Sequence, residues 1–202
     1  MIKKLCSNIV PYIDRYVIVE DRGSPWLDNR DNYEWYYSYG KTFKPKKILE
    51  IGTRCGYSLI SMMFGAEGAV RKVCFYDNEK DMGGSIAIAT DNIDKAFPDV
   101  EVVSFKVDTN EIDTPFHNDR DYDIVHIDAD HTPDSVRHDF KLFWNSLSPG
   151  GVLILDDMKS ITGEKNTDLF YHICPWILDD MEILSFEYIK NYNRQMLVYK
   201  NE

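Results

Sequence analysis

From position 47 onward, short apolar runs alternate with polar turns and amphipathic stretches, and this alternation limits the fold more than any other feature of the chain. Residues 48–51, 73–76, 101–105, 124–127 and 152–155 have the length and apolar content of buried strands. Between them, 57–65, 85–96 and 133–146 read as helices. The last carries Val136, Phe140, Phe143, Trp144 and Leu147 as one apolar stripe, begins at Pro133 and Asp134, and is ended by Ser148-Pro149-Gly150-Gly151. Repeated strand, turn and helix predict βαβ units and hence an α/β fold with a Rossmann-like, doubly wound, mostly parallel sheet. After Asp157 the pattern changes. Residues 166–181 read as a helix interrupted at Pro175, and 182–189 and 195–199 as two strands. Only residues 190–194 join those strands, a connection so short that it requires an antiparallel hairpin.

The first apolar run ends in Glu50-Ile51-Gly52-Thr53-Arg54-Cys55-Gly56-Tyr57-Ser58, which has the pattern E-x-G-x-x-x-G-x-S. A strand that passes through a glycine turn into a helix N-terminus is where an α/β sheet receives a nucleotide-like ligand. The glycines are expected to let the backbone approach that ligand where a Cβ would block it. The dinucleotide spacing G-x-G-x-x-G is absent, which disfavours a nicotinamide oxidoreductase. Asp77 closes the second strand at the place where such folds put an acid for ribose hydroxyls; its other reading is an ordinary strand-end turn residue. Asp108 and Thr109, at the end of the third strand, are placed to meet a base. The turn from Gly52 and Thr53 to Gly56 and Ser58, with Asp77, Asp108 and Thr109, supplies the candidate ligand contacts.

The fourth strand delivers His126-Ile127-Asp128-Ala129-Asp130-His131 and the fifth ends in Asp156-Asp157. Neighbouring parallel strands would bring these acids to one carboxyl edge, where they repel one another unless a cation or a proton compensates. Oxygen ligands in that number suit a hard divalent ion such as Mg²⁺; the bland alternative is that they cap turns and face water. His131, beside the cluster, can take a proton from a substrate hydroxyl, given an unperturbed pKa near ~6.5. His126, inside a buried strand, reads as structural, and His117, His138 and His172 have no comparable setting.

These residues resemble the class I S-adenosylmethionine-dependent methyltransferases, and among them the metal-dependent O-methyltransferases of the macrolide-sugar, catechol and caffeoyl-CoA types. The resemblance spans about residues 46–200. It implies a seven-stranded sheet whose last strand is antiparallel and inserted beside the fifth, S-adenosylmethionine as cofactor, and Glu50, Gly52 and Gly56 on its methionine side. It also implies Asp128, Asp156 and Asp157 as ligands of Mg²⁺, with Asp128 and His131 as the catalytic pair. Catechol-type members have a lysine where this chain has His131, which moves the expectation towards a sugar-like or other aliphatic hydroxyl. The competing readings are a metal-independent N- or O-methyltransferase and a non-catalytic S-adenosylmethionine-binding protein. Base-modifying enzymes carry a different motif after the fourth strand.

At 202 residues the chain suits one domain with an arm: residues 46–202 as the methyltransferase domain and 1–45 as an N-terminal arm or cap. The arm is irregular in pattern. Its aromatic cluster from Tyr33 to Tyr39, including Trp35 and Tyr37, suits core packing or a subunit interface, and otherwise a substrate lid. A net charge of −11, from 23 basic and 34 acidic residues, argues against nucleic acid as a partner, and the resemblance implies a small hydroxylated molecule instead. Cys6, Cys55, Cys74 and Cys174 are too irregularly spaced for zinc or a redox pair, and the N-terminus lacks a sustained apolar run. A soluble, cytoplasmic protein with reduced thiols, with a homo-oligomer also compatible, is the expectation.

Overall fold

Each apolar run becomes a strand because helices cover both faces of the sheet, so neither alternate side-chain set has to face water. The computed structural model describes residues 30–158, 169–178, 183–189 and 195–202. In chain order the elements are α1 (Arg30–Phe43), β1 (Lys47–Ile51), α2 (Tyr57–Gly65), β2 (Lys72–Asp77), α3 (Ser85–Ala96) and β3 (Glu101–Lys106). A 3-10 turn (Thr109–Glu111), β4 (Tyr122–Ile127), α4 (Pro133–Trp144), β5 (Leu147–Leu155), α5 (Leu169–Leu178), β6 (Ile183–Ile189) and β7 (Gln195–Lys200) follow. The strands form one seven-stranded sheet in the order β3-β2-β1-β4-β5-β7-β6. The first five are parallel, and β7 lies antiparallel between β5 and β6. The doubly wound sheet with its antiparallel end is thus as the sequence predicts.

Successive residues of a strand point to opposite faces, and the core divides accordingly. Leu49, Ile51, Cys74, Val125 and Leu153 pack with Phe140 and Phe143 of α4 and Ile173 of α5. Ile48, Val73, Phe75, Ile124 and Ile154 pack with Tyr36 and Tyr39 of α1, Leu59 and Met62 of α2, and Ile93 of α3. At the start of α4, Thr132 caps the helix by accepting from the Ser135 N–H at 3.3 Å, and Pro133 stands in the first turn, where its missing N–H costs nothing.

Three elements depart from the sequence reading. Residues 30–43, read as irregular, form α1, which lies directly on α2: a Cβ added to Gly40 would stand 1.9 Å from the Met62 carbonyl oxygen, and one added to Gly65 would stand 2.0 Å from that of Tyr37. Second, β5 begins at Leu147, so that 148–151 is a bulged part of the strand instead of a loop; Tyr122 pairs with Leu147 but Ile124 with Val152, and Gly150 takes φ 73° to absorb the extra residues. Third, α5 runs through Pro175 without interruption, with Leu169, Ile173 and Ile177 buried on its inner side. Cys55, Cys74 and Cys174 are not joined in disulfides. Cys6, the first 29 residues and the connection at 190–194 lie outside the described residues. Among the described residues, no helix is long and apolar enough to cross a membrane.

Candidate active site

The glycine turn is built to bring β1, β2 and β4 together. The Gly52 N–H donates to the Tyr76 carbonyl at 2.9 Å, and with φ 84° a Cβ on Gly52 would lie 2.1 Å from the Asp128 carbonyl oxygen. Gly56, at φ 79°, caps α2 and faces the Ala89 methyl of α3 at 3.2 Å from its own would-be Cβ. The clearance these glycines supply is therefore to other parts of the chain, where the sequence reading expected a ligand. Asp77 accepts from the Arg54 N–H at 2.7 Å, the Glu79 N–H at 2.6 Å and the Ser85 hydroxyl at 3.1 Å, tying the turn to β2 and α3. Asp108 caps the 3-10 turn through the Asn110 N–H at 3.1 Å and pairs with Lys80, and Thr109 is buried beside it.

A cavity of about 740 Å³ follows the carboxyl edge of the sheet past these residues. Gly52, Thr53, Gly56's neighbour Tyr57 and Ser58, beyond β1, line its middle, with Asp77, Asp108 and Thr109 beyond β2 and β3 on one side, Asp128 and His131 beyond β4 on the other, and Tyr33 and Tyr36 of α1 also in the lining. Glu50 is not among the lining residues. It is buried beneath the turn, where its Oε1 accepts from the Ser58 hydroxyl at 2.5 Å and meets His126 Nδ1 at 2.8 Å. Thr53 lines the cavity, and its hydroxyl is buried without a hydrogen-bond partner.

At the acidic edge, the Asp128 N–H donates to the Ile51 carbonyl at 2.8 Å and the Asp156 N–H to the Ile127 carbonyl at 3.0 Å, which extends the parallel register one residue past each strand. The three expected metal acids do not stand alike. Asp156 is only 2% exposed; its Oδ2 accepts from the Tyr36 hydroxyl and its Oδ1 from the Asp157 N–H at 2.9 Å. Asp128 and Asp157 are partly exposed and flank His131, whose Nε2 lies 3.2 Å from Asp128 Oδ1 and whose Nδ1 lies 3.3 Å from Asp157 Oδ2. Among the described residues, two overlapping sets of donor atoms lie close enough to share a cation, His126 with Asp128 and Asp156, and Asp128 with His131 and Asp157.

The electrostatics follow this crowding. Burial opposes charge on His126, but Asp156 and Glu50 outweigh it and hold the imidazole up at about 10. Burial likewise opposes charge on His131, and Asp128 followed by Asp157 raises it to about 9. Each histidine is then an imidazolium at neutral pH, and His131 stands above the range expected of a free base. Burial first, and then the charges of Asp156 and Asp128, push Asp157 up to about 7; burial and Asp156 push Asp128 up as well.

Sequence reasoning did not single out Tyr36, and it assigned His126 to structure. For His126 a signal existed. It lies two residues before Asp128, the spacing of one strand face, and pairs with Glu50 in the β1–β4 register. For Tyr36 there was none, because 120 residues separate it from Asp156.

A family model described as a methyltransferase domain matches residues 49–158, from β1 to just beyond β5. Among solved structures, an O-methyltransferase from Bacillus cereus in complex with SAH is 20% identical over 100% of both chains, with a TM-score of 0.66. An SAH-bound methyltransferase from Podospora anserina is 15% identical over 95% of this chain and 88% of that one, with a TM-score of 0.65. The O-methyltransferase TomG from Streptomyces achromogenes, involved in tomaymycin synthesis and in complex with SAM, is 16% identical over 98% and 89%, with a TM-score of 0.62. At these identities the likeness is one of fold.

Proposed function

The chain belongs to the methyltransferase domain family, and from that premise we propose that it moves the methyl group of S-adenosylmethionine to a hydroxyl of a small molecule. The observation that carries this reading is the cavity that runs along the carboxyl edge from Asp108 and Asp77, past the glycine turn, to Asp128 and His131. The fit to this cofactor is chemical. Thr53 lines the cavity with its buried hydroxyl unpartnered, and the lining carries Asp77, Asp81, Asp108, Asp128 and Asp130 against Arg54, Lys80 and the His131 imidazolium, a balance that still favours a cationic ligand such as a sulfonium. S-adenosylmethionine, when bound, would supply an already activated methyl: a carbon–oxygen bond would form as the carbon–sulfur bond breaks, sulfur would keep the electron pair, and the hydroxyl proton would pass to solvent water.

The work left to this chain is orientation and charge. Gly52, Thr53 and Ser58 hold the methionine end, Asp77 the ribose, and Asp108 with Thr109 the base. The Asp128, His131 and Asp157 cluster bounds the acceptor end and supplies the cation ligands. A divalent cation, Mg²⁺ in the simplest form, fits partly exposed Asp128 and Asp157, and when bound it lowers the pKa of an acceptor hydroxyl. Residues 1–45 act as the arm that meets the acceptor, an assignment supported by Tyr33 and Tyr36 in the cavity wall.

Titration calorimetry with S-adenosylhomocysteine tests the reading. Saturable binding by the wild type and its loss in Gly52→Ala, where the added Cβ meets the Asp128 carbonyl, are the expected results. A wild type that takes up no S-adenosylhomocysteine removes the proposal.

A further inference from the structure

A cation at the acidic edge rests on the function proposed above, and the residues that would hold it are not the three acids carried over by resemblance. Asp156 is already occupied. Its Oδ2 takes the Tyr36 hydroxyl, its Oδ1 takes the Asp157 N–H, and the fully buried, otherwise unpartnered Nε2 of His126 points at it from 3.9 Å. The imidazole is fixed in that direction by Glu50, which holds the other ring nitrogen at 2.8 Å. Asp156 thus belongs to an inner group closed by Tyr36, His126 and Glu50.

The outer group is different in kind. Asp128, His131 and Asp157 have side chains 29%, 41% and 26% exposed, their donor atoms lie within 4.8 Å of one another, and Asp128 and His131 line the cavity. Two carboxylates face each other there with one imidazole between them. We propose that the cation site of this chain is the mixed set Asp128, His131 and Asp157, and that Tyr36, reaching across from α1, holds Asp156 out of it. One imidazole nitrogen with two carboxylates favours a first-row transition ion such as Mn²⁺ or Co²⁺ over Mg²⁺, which prefers oxygen ligands throughout. His131, an imidazolium without the cation, would release a proton on binding it and give that nitrogen's lone pair to the cation, so it is not the free base for the substrate hydroxyl.

The test is calorimetric titration of the protein loaded with S-adenosylhomocysteine, using Mn²⁺ and Mg²⁺ separately, on the wild type, His131→Gln, Asp157→Asn and Asp156→Asn. The wild type is expected to bind Mn²⁺ about tenfold more tightly than Mg²⁺. His131→Gln should lose that preference through roughly tenfold weaker Mn²⁺ binding, Asp157→Asn should weaken both ions by about tenfold, and Asp156→Asn should stay within about threefold of wild type. With Co²⁺ as probe, the visible absorption bands should change in His131→Gln and not in Asp156→Asn. The proposal is overturned if Asp156→Asn weakens both ions as Asp157→Asn does while His131→Gln keeps the Mn²⁺ preference. A wild type that binds S-adenosylhomocysteine but neither ion overturns it too, and leaves the methyltransferase reading standing. Failure of that reading shows instead as loss of S-adenosylhomocysteine binding in the wild type, and the same ion titrations on the unloaded protein then still decide the ligand set.

Discussion

Tyr36 donates its hydroxyl to Asp156 with both groups out of water. Burial first, and then the charge of Asp156, raises the Tyr36 pKa well above its ordinary value, so the phenol remains a donor throughout the working pH range. Tyr36→Phe keeps the ring that sits edge-on to His126 at 5.0 Å but leaves a buried carboxylate short of one donor. It should lower stability by about 1–3 kcal/mol in urea unfolding, and an unchanged midpoint would show that the contact contributes nothing. His126 carries a pH dependence of definite sign. Its pKa is raised from 6.5 to about 10, so the stability it contributes is complete below its unfolded value and is lost as pH rises towards the folded one. The stability gap between wild type and His126→Asn should therefore narrow steadily from pH 6.5 to pH 10, and a gap that widened would refute the imidazolium assignment.

Helix α1 is the element that links the N-terminal part of the described chain to the acidic edge of the sheet. Its pairing with α2 depends on two glycines, since any side chain at Gly40 or Gly65 would meet the partner helix's carbonyl oxygens at about bonding distance. Gly65→Ala is expected to cost about 1–3 kcal/mol in thermal or urea unfolding. Because Tyr33 and Tyr36 wall the cavity, it should also weaken S-adenosylhomocysteine binding. Normal affinity in a destabilised Gly65→Ala would separate α1 from the cofactor site. The helix was hard to read from sequence for a physical reason. Tyr, Trp, Ser, Asn and Gly are mediocre or poor helix formers, and the stability of this segment comes from burying Tyr36 and Tyr39 against the sheet, not from propensity. The α4 helix, with its Pro133 start and regular stripe, carried its own signal.

For the whole molecule, with a net charge of −11, stability depends on how buried acids are compensated. Asp139 on α4 is fully buried. Burial, only partly offset by the Thr109 hydroxyl, pushes it up to about 6. Its folded pKa lies above its unfolded one, so the protonated form favours folding and stability is lost as pH rises from about 4 through 6. Asp139→Asn should match wild type near pH 4 and exceed it by on the order of 2 kcal/mol at pH 8 in urea unfolding; equal stability at both pH values would contradict the assignment. Much of this architecture was legible before any coordinates. Strand runs, the glycine turn and the placing of Asp77, Asp128, Asp156 and Asp157 at strand ends follow from apolar periodicity and turn chemistry, which act between near neighbours in the chain. The relations among the buried polar groups were not legible. Asp156 is closed by a tyrosine 120 residues away, His126 is fixed between acids from two other strands, and His131 lies between two carboxylates. Which donor reaches a buried carboxylate depends on how strands and helices stack in space, and linear spacing does not encode that stacking.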